Sequence, residues 1–183
     1  MKRTKNKMYH FMIFFISQMV SELGTSMTGF ATVIWMYSNS GQVMSSSLLA
    51  ICSTVPYLTV SLFGGAVVDK TNKKKIMLIC DLIAAVGSVI LLSCYSLGYL
   101  QLWVLCLVNV INGFMNAFQN PASQVAVTLL VDEKDYARIG GVQSTMGAMV
   151  GIFQPILATT ILNVFGLQWI LIVDLCTFFF AFF

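Results

Sequence analysis

Charged residues are scarce in this chain of 183 residues, at 9% of the total, against about a quarter in ordinary soluble domains. There is a single histidine, and the five cysteines show no metal-ligand spacing. No GxSxG motif, HExxH motif or phosphate-binding glycine loop occurs, so neither a hydrolase nor a nucleotide-binding enzyme is indicated. We expect no catalytic residue, no metal ion and no cofactor.

Hydrophobic residues make up 58% of the chain, and the mean hydropathy is +0.86. They form six apolar segments, of which the first five exceed the roughly 20 residues that span a bilayer as a helix. The sequence therefore predicts an all-α integral membrane protein that crosses the lipid bilayer repeatedly. The sixth segment is shorter and the chain stops inside it, which predicts a fragment of a longer protein. The segments cover residues 9–37, 44–68, 76–97, 102–130, 140–163 and 168–183.

Basic residues are absent from the loops near 38–43, 98–101 and 164–167. Loops rich in lysine and arginine stay in the cytoplasm. We therefore expect a multi-pass protein of a bacterial plasma membrane with a cytoplasmic N-terminus. The bases form no surface stripe, so no nucleic-acid partner is expected. All ten fall in three groups, namely Lys2, Arg3, Lys5 and Lys7, then Lys70, Lys73, Lys74 and Lys75, and finally Lys134 and Arg138.

The loop after the second span carries a glycine, then three residues, an aspartate, a base and two further bases. It resembles the signature loop of the major facilitator superfamily of secondary transporters, with Asn72 in place of a second glycine. Asn also tolerates a left-handed backbone. The resemblance implies a twelve-helix fold of two six-helix halves, each built of 3+3 inverted repeats. This chain would be the N-terminal half, with the missing C-terminal half as its partner. The expected gating-loop residues are Gly65, Asp69, Lys70, Lys73, Lys74 and, through a salt bridge to Lys73 or Lys74, Asp81.

The first span has one polar stripe inside an otherwise apolar helix. Such a stripe faces a cavity or another helix rather than lipid. Glu22 lies near the expected midplane, where a charge costs several kcal/mol unless it is paired, hydrated or protonated. That position suits proton coupling or a counter-ion for a cationic substrate, and a packing role remains the alternative. The stripe contains Gln18, Ser21, Glu22, Thr25, Thr28 and Thr32.

The fourth span repeats the pattern with amide side chains. They are expected to line a substrate cavity, although interhelical hydrogen bonds between them are the alternative. Spans one and four are equivalent in the superfamily's inverted repeats. Many family antiporters have an arginine where this chain has Asn109, so no mechanism that uses that arginine is expected. The face contains Asn109, Asn112, Asn116, Gln119, Asn120 and Ser123.

The fifth span contains Gly147, Gly151 and Pro155. A GxxxG pair lets another backbone approach closely, so these residues predict helix packing. The stretch partly resembles a glycine- and proline-rich motif of the superfamily's exporters. In the sixth span, Asp174 is expected to be a buried packing partner rather than a proton site.

The stretches Val68–Lys70, Lys75–Met77, Asp81–Leu82 and Asn120–Ala122 resemble the macrolide-efflux branch of bacterial drug:proton antiporters. This resemblance implies a secondary active transporter that exports amphipathic drugs, a small-molecule substrate class, as protons enter. Two alternatives stay open. One is a small-metabolite importer on the same fold, and the other is a fragment without transport activity.

Overall fold

The computed structural model describes residues 2–130 and 136–182, with side chains described for 16–65, 67–68, 71–125 and 139–181. In this part of the chain the structure is all-α. Each helix overlaps one of the six apolar segments of the sequence. The helices are α1 (Lys2–Ser40), α2 (Val43–Lys70), α3 (Lys73–Ser96), α4 (Leu102–Leu130), α5 (Tyr136–Phe165) and α6 (Leu167–Phe182).

Among the residues whose side chains are described, four helices contain stretches that are long and apolar enough to cross a membrane. The apolar stretch of α6, Leu167–Ala181, is shorter. Many large apolar side chains remain exposed on α2 and α5, such as Leu62 and Ile152. Apolar faces of this kind are compatible with a hydrocarbon surrounding.

Three connections at one end of the bundle use a glycine with positive φ. Gly41 lies between α1 and α2 at φ 64°, Gly98 between α3 and α4 at 72°, and Gly166 between α5 and α6 at 86°. Only glycine adopts this region without steric cost. These turns allow each pair of helices to reverse direction within a few residues.

At the opposite end, the connection between α2 and α3 is closed by a helix cap. Asn72 has φ −71° and ψ 111°, and its side chain accepts a hydrogen bond from the Lys74 backbone N–H at 3.1 Å. An Asn at this position satisfies one of the free N–H groups of the first turn. The left-handed conformation that the sequence allowed for Asn72 is therefore not the one it adopts.

The helix pairings show two related three-helix units. Helix α1 packs against α5 and α6, and α4 packs against α2 and α3, while α3 also contacts α6. Exchanging α1 with α4, α2 with α5 and α3 with α6 leaves this set of pairings unchanged. The packing is that of a 3+3 repeat, as in one half of a major facilitator fold.

Close helix approaches occur at Gly24 of α1, where an added Cβ would lie 3.2 Å from the Asp174 Cα of α6, and at glycines of α2 and α4. A Cβ added to Gly113 would overlap the Ser53 carbonyl oxygen, and one added to Gly64 would lie 2.8 Å from the Ala117 carbonyl oxygen. Small residues permit such backbone contact between helices in membranes. These contacts hold α2 directly against α4.

The main apolar core lies near the end that carries the glycine turns. Leu91, Leu105 and Leu167 are almost fully buried there, and each lies within about two turns of Gly98 or Gly166. Trp35 and Tyr95 pack edge to face nearby, with ring centroids 6.0 Å apart. This end of the bundle is tightly closed, and the polar helix faces lie farther along the bundle.

Candidate substrate cavity

A cavity of about 1110 Å³ lies between the helices. Its wall is made mainly by α1 and α4, the two helices related by the repeat, with further residues from α2, α3 and α5. Both polar faces recognised in the sequence contribute to it. A volume of this size accommodates a drug-sized molecule.

The α1 stripe divides into two parts. The first four residues of the stripe line the cavity, and Glu22 among them is exposed. Thr28 and Thr32 are buried instead, and Thr32 donates to the Gly29 carbonyl oxygen at 2.8 Å. The cavity-lining residues of the stripe are Gln18, Ser21, Glu22 and Thr25.

All six polar residues of the α4 face line the cavity, but their hydrogen bonding differs. Asn109 donates to the Leu105 carbonyl oxygen of its own helix at 2.8 Å. The Oδ1 atom of Asn112 is buried and has no hydrogen-bond partner in the described structure. Unpaired buried acceptors are uncommon in proteins. The face comprises Asn109, Asn112, Asn116, Gln119, Asn120 and Ser123.

Asp81 of α3 also lies on the cavity wall. Gln18 Nε2 donates to its Oδ2 at 3.1 Å, and Gln119 Nε2 donates to its Oδ1 at 2.7 Å. The carboxylate thus joins α1, α3 and α4. The sequence grouped Asp81 with the gating loop, and the structure shows both of its oxygens hydrogen-bonded to amides of the cavity. Its gating role stays a prediction.

Helical spacing within α3 is the one sequence feature that relates Asp81 to the cavity. Met77 and Ala84 lie one turn before and one turn after it, and both line the same cavity. Helical residues three or four positions apart share a face. Because neither neighbour is polar, no stripe was visible in the sequence.

A second carboxylate, Asp174 of α6, lies outside the cavity. It is 4% exposed and accepts hydrogen bonds from the hydroxyls of Thr25 and Ser88. The hydroxyls come from α1 and α3, so this residue joins three helices in the interior. Its contacts match the packing role expected for it.

Part of the predicted gating loop falls outside the described side chains. The backbone at Asp69 and Lys70 belongs to the end of α2, but the side chains of these two residues lie outside the described residues. Lys73 and Lys74 form the first turn of α3, which Asn72 caps. An added Cβ at Gly65 would meet no atom within 4 Å.

The helix-packing role of the α5 glycines stays a prediction. Within the described structure, a Cβ added to Gly147 or Gly151 would meet no atom within 4 Å, and Gly147 lines the cavity. Helix α5 contacts α1 through a side chain, since Gln154 Nε2 donates to the Ser26 carbonyl oxygen at 3.0 Å. Pro155 lies inside α5, which continues on both sides of it.

The charges of the cavity are of one sign among the described residues. Its wall includes two acids, Glu22 and Asp81, and no lysine, arginine or histidine. Two aromatic side chains, Phe30 and Tyr57, also line it. A cavity that carries acids and no base concentrates positively charged molecules.

Comparison with known proteins identifies relatives of the chain. It is 27% identical over 175 residues to macrolide efflux protein A of Streptococcus pyogenes, covering 95% of this chain and 43% of the relative. It is 30% identical over 135 residues to macrolide efflux protein A of Enterococcus faecalis, covering 72% of this chain and 42% of the relative.

A third relative, the uncharacterized MFS-type transporter YkuC of Bacillus subtilis, is 24% identical over 170 residues. That alignment covers 92% of this chain and 39% of the relative. The chain thus spans about two-fifths of the length of these curated relatives. No solved structure matches it. The sequence profile of the Major Facilitator Superfamily matches residues 14–183, and the chain belongs to this family of membrane transporters.

Proposed function

We propose that this chain is part of a secondary active transporter that exports amphipathic small molecules, such as macrolides, in exchange for protons. The cavity between the two repeats supports this proposal most directly, because it joins amides, aromatic side chains and an exposed carboxylate in one chamber. The similarity to two proteins named macrolide efflux protein A favours export over uptake. In this proposal the protein lies in a bacterial plasma membrane with its N-terminus in the cytoplasm.

Transport would proceed by alternating access. The six helices would move as a unit against a second six-helix half, opening the cavity to one side of the membrane at a time. The closed core at the glycine-turn end and the lysine-rich loop at the other end would then mark the two sides. The loop end would face the cytoplasm.

Glu22 is the proposed proton-coupling residue. It is exposed in the cavity and lies one turn from Gln18, which holds Asp81. A carboxylate there can exchange a proton with water that enters the cavity. Its charge state would alter the free energy needed to close the cavity off from water. Protonation of Glu22 would therefore bias the equilibrium between the two access states.

The amides of α4 would hydrogen-bond the substrate, since Asn112 and Asn116 present acceptors and donors without a fixed charge. Asp69 and the lysines of its loop would latch the closed inner face against the second half. An aspartate can hydrogen-bond the free N–H groups at a helix N-terminus and interact favourably with its dipole.

The function is tested by accumulation of radiolabelled macrolide in cells that express the complete gene, with and without a protonophore. We expect low accumulation that rises when the protonophore collapses the proton gradient. Accumulation equal to that of empty-vector cells would remove the macrolide assignment. Substrate uptake above the control level would instead favour an importer.

A parallel assay examines the 183-residue chain alone. Blue native electrophoresis would distinguish a defined six-helix species from an aggregate. Absence of macrolide extrusion by this chain, with extrusion by the complete gene product, would identify the chain as a transport-inactive fragment.

A further inference from the structure

We propose that Asp81 is the cation-recognition residue of the cavity, and that the transported molecules carry a protonated amine. This inference rests on the proposed export function and specifies its substrate class. It assigns to an α3 residue a binding role that the polar stripes of α1 and α4 did not indicate.

Asp81 is held by amides from two neighbouring helices. Its two oxygens each accept one amide N–H, from Gln18 on α1 and Gln119 on α4. A carboxylate has about four acceptor sites, so two remain for a further donor. The two amides also fix the orientation of the group, which lowers the entropic cost of binding a ligand against it.

The surroundings of Asp81 carry negative charge without a matching base. The described wall of the cavity has two acids and no basic side chain. A buried carboxylate without a cation is expensive in a protein interior, and amide hydrogen bonds offset that cost only in part. A cationic ligand would supply the missing opposite charge.

A second acceptor on the cavity wall lacks a donor in the described structure. Asn112 Oδ1 is buried, lies on the same cavity and has no hydrogen-bond partner in the described structure. It can only accept, so it is complementary to an N–H group on the ligand. A protonated amine provides both the positive charge and the N–H donor.

The aromatic residues explain why the ligand would be amphipathic rather than a simple metal cation. Phe30 and Tyr57 line the same cavity and offer apolar surface and ring faces. Ring faces attract organic cations. The combination favours a protonated amine attached to an apolar body.

The other two acids near the cavity fit this role less well. Glu22 lines the cavity, but it is exposed, and its contact with water suits proton exchange. Asp174 is buried, accepts hydrogen bonds from hydroxyls of α1 and α3 and does not line the cavity. Asp81 combines access to the cavity with a fixed geometry.

The test compares two probes of equal shape. Benzyldimethylamine is protonated at neutral pH, and isobutylbenzene is its uncharged isostere. Tritiated forms are equilibrated by dialysis with the full-length gene product in nanodiscs, and empty nanodiscs give the background. We expect the wild-type protein to bind the amine at least about tenfold more tightly than the isostere.

Asp81→Asn keeps the shape of the side chain and removes its charge. We expect it to weaken binding of the amine about tenfold or more while binding of isobutylbenzene stays within about twofold. The matched control is Asp174→Asn, which removes a charge from the corresponding helix of the other repeat but outside the cavity. It should leave the preference for the amine unchanged.

A second measurement uses the unaltered protein, in case Asp81→Asn does not fold. Dicyclohexylcarbodiimide modifies membrane-embedded carboxyl groups, and mass spectrometry locates the adduct. We expect benzyldimethylamine to slow modification of Asp81, and isobutylbenzene to have no such effect.

Four results would overturn the proposal. They are equal wild-type affinity for both probes, unchanged amine binding in Asp81→Asn, equal loss of both probes in that variant, and carbodiimide labelling of Asp81 that the amine does not slow. The export function fails separately. The protonophore could leave macrolide accumulation unchanged while the two probes bind as expected. That result would support the cation site and contradict proton-driven export.

Discussion

The contact between α2 and α4 at Gly113 should be sensitive to the addition of a single methyl group. Replacing Gly113 with alanine adds a Cβ that would overlap the Ser53 carbonyl oxygen. It would also lie 3.1 Å from the Ser53 carbonyl carbon and 3.3 Å from its Cα. These are backbone atoms and cannot rotate away, so the two helices must separate.

Separation of packed helices by one methyl group typically costs about 1–3 kcal/mol. A chain of this length loses about 2–4 °C of melting temperature per kcal/mol. We therefore expect Gly113→Ala to lower the melting temperature by about 2–12 °C. The helix propensity of alanine acts in the opposite direction by up to about 1 kcal/mol, which places the result in the lower part of that range.

The assay is thermal unfolding of the purified chain in detergent, followed with a dye that fluoresces when it reacts with thiols. Cys80 and Cys106 are buried in the folded chain and become reactive on unfolding. The matched control is Gly147→Ala. It makes the same change on α5, where the added Cβ would meet no atom within 4 Å.

The control should melt at the wild-type temperature or slightly above it. Equal melting temperatures for Gly113→Ala and the wild-type chain would refute the close approach of α2 and α4. A larger decrease in melting temperature for Gly147→Ala than for Gly113→Ala would show that the α5 glycines pack against a helix, as the GxxxG spacing indicated.

Four further substitutions, two in the cavity and two at the connection between α2 and α3, have defined expected outcomes. Replacing Glu22 with Gln should abolish or uncouple transport while expression is maintained, and pH-dependent transport equal to wild type would exclude a coupling role. Asp69→Asn should lower the maximal transport rate more than substrate affinity, because a latch affects the change of state; the reverse result in transport kinetics would argue against it. Gln119→Leu removes one of the two amide donors to Asp81 and should destabilise the chain by about 1–3 kcal/mol; an unchanged melting temperature would show that this hydrogen bond contributes little. Asn72→Ala should cost about 0.5–2 kcal/mol through loss of the α3 cap, and Asn72→Ser should recover most of it; equal melting of both variants would contradict the capping role.

The two polar helix faces could be recognised from the sequence because helical periodicity is a local property. In α1, Gln18 and Glu22 are one turn apart, and in α4, Asn112 and Asn116 have the same spacing. In an apolar helix, such spacing shows that the residues share a face without any knowledge of the neighbouring helices. The structure places all four on the wall of one cavity.

The same periodicity could not show where each stripe ends. Thr28 and Thr32 continue the α1 stripe in the sequence, yet they are 4% and 1% exposed and lie outside the cavity wall. Neighbouring helices cover that part of α1, with Met27 and Ala31 in the apolar core of the bundle. Which turns of a helix are covered depends on the positions of other helices, and a single helix pattern does not contain that information.

The glycines show a further limit of local patterns. Gly147 and Gly151 form a GxxxG pair, whereas Gly64 and Gly113 belong to no such pair. The helices α2 and α4 nevertheless approach closely at Gly64 and Gly113, since they cross there. A small residue permits contact between helices, but the crossing point is set by the packing of the whole bundle.

The sequence by itself determined the apolar segments, the all-α class, the polar faces of α1 and α4, and the family, because each depends on composition, spacing or a short motif. The tertiary structure decided that Asp81, an isolated acid eight residues into α3, joins Gln18 and Gln119 at the cavity. Those three residues lie on three different helices and are far apart along the chain. Only the packing of α1, α3 and α4 brings their side chains within hydrogen-bond distance.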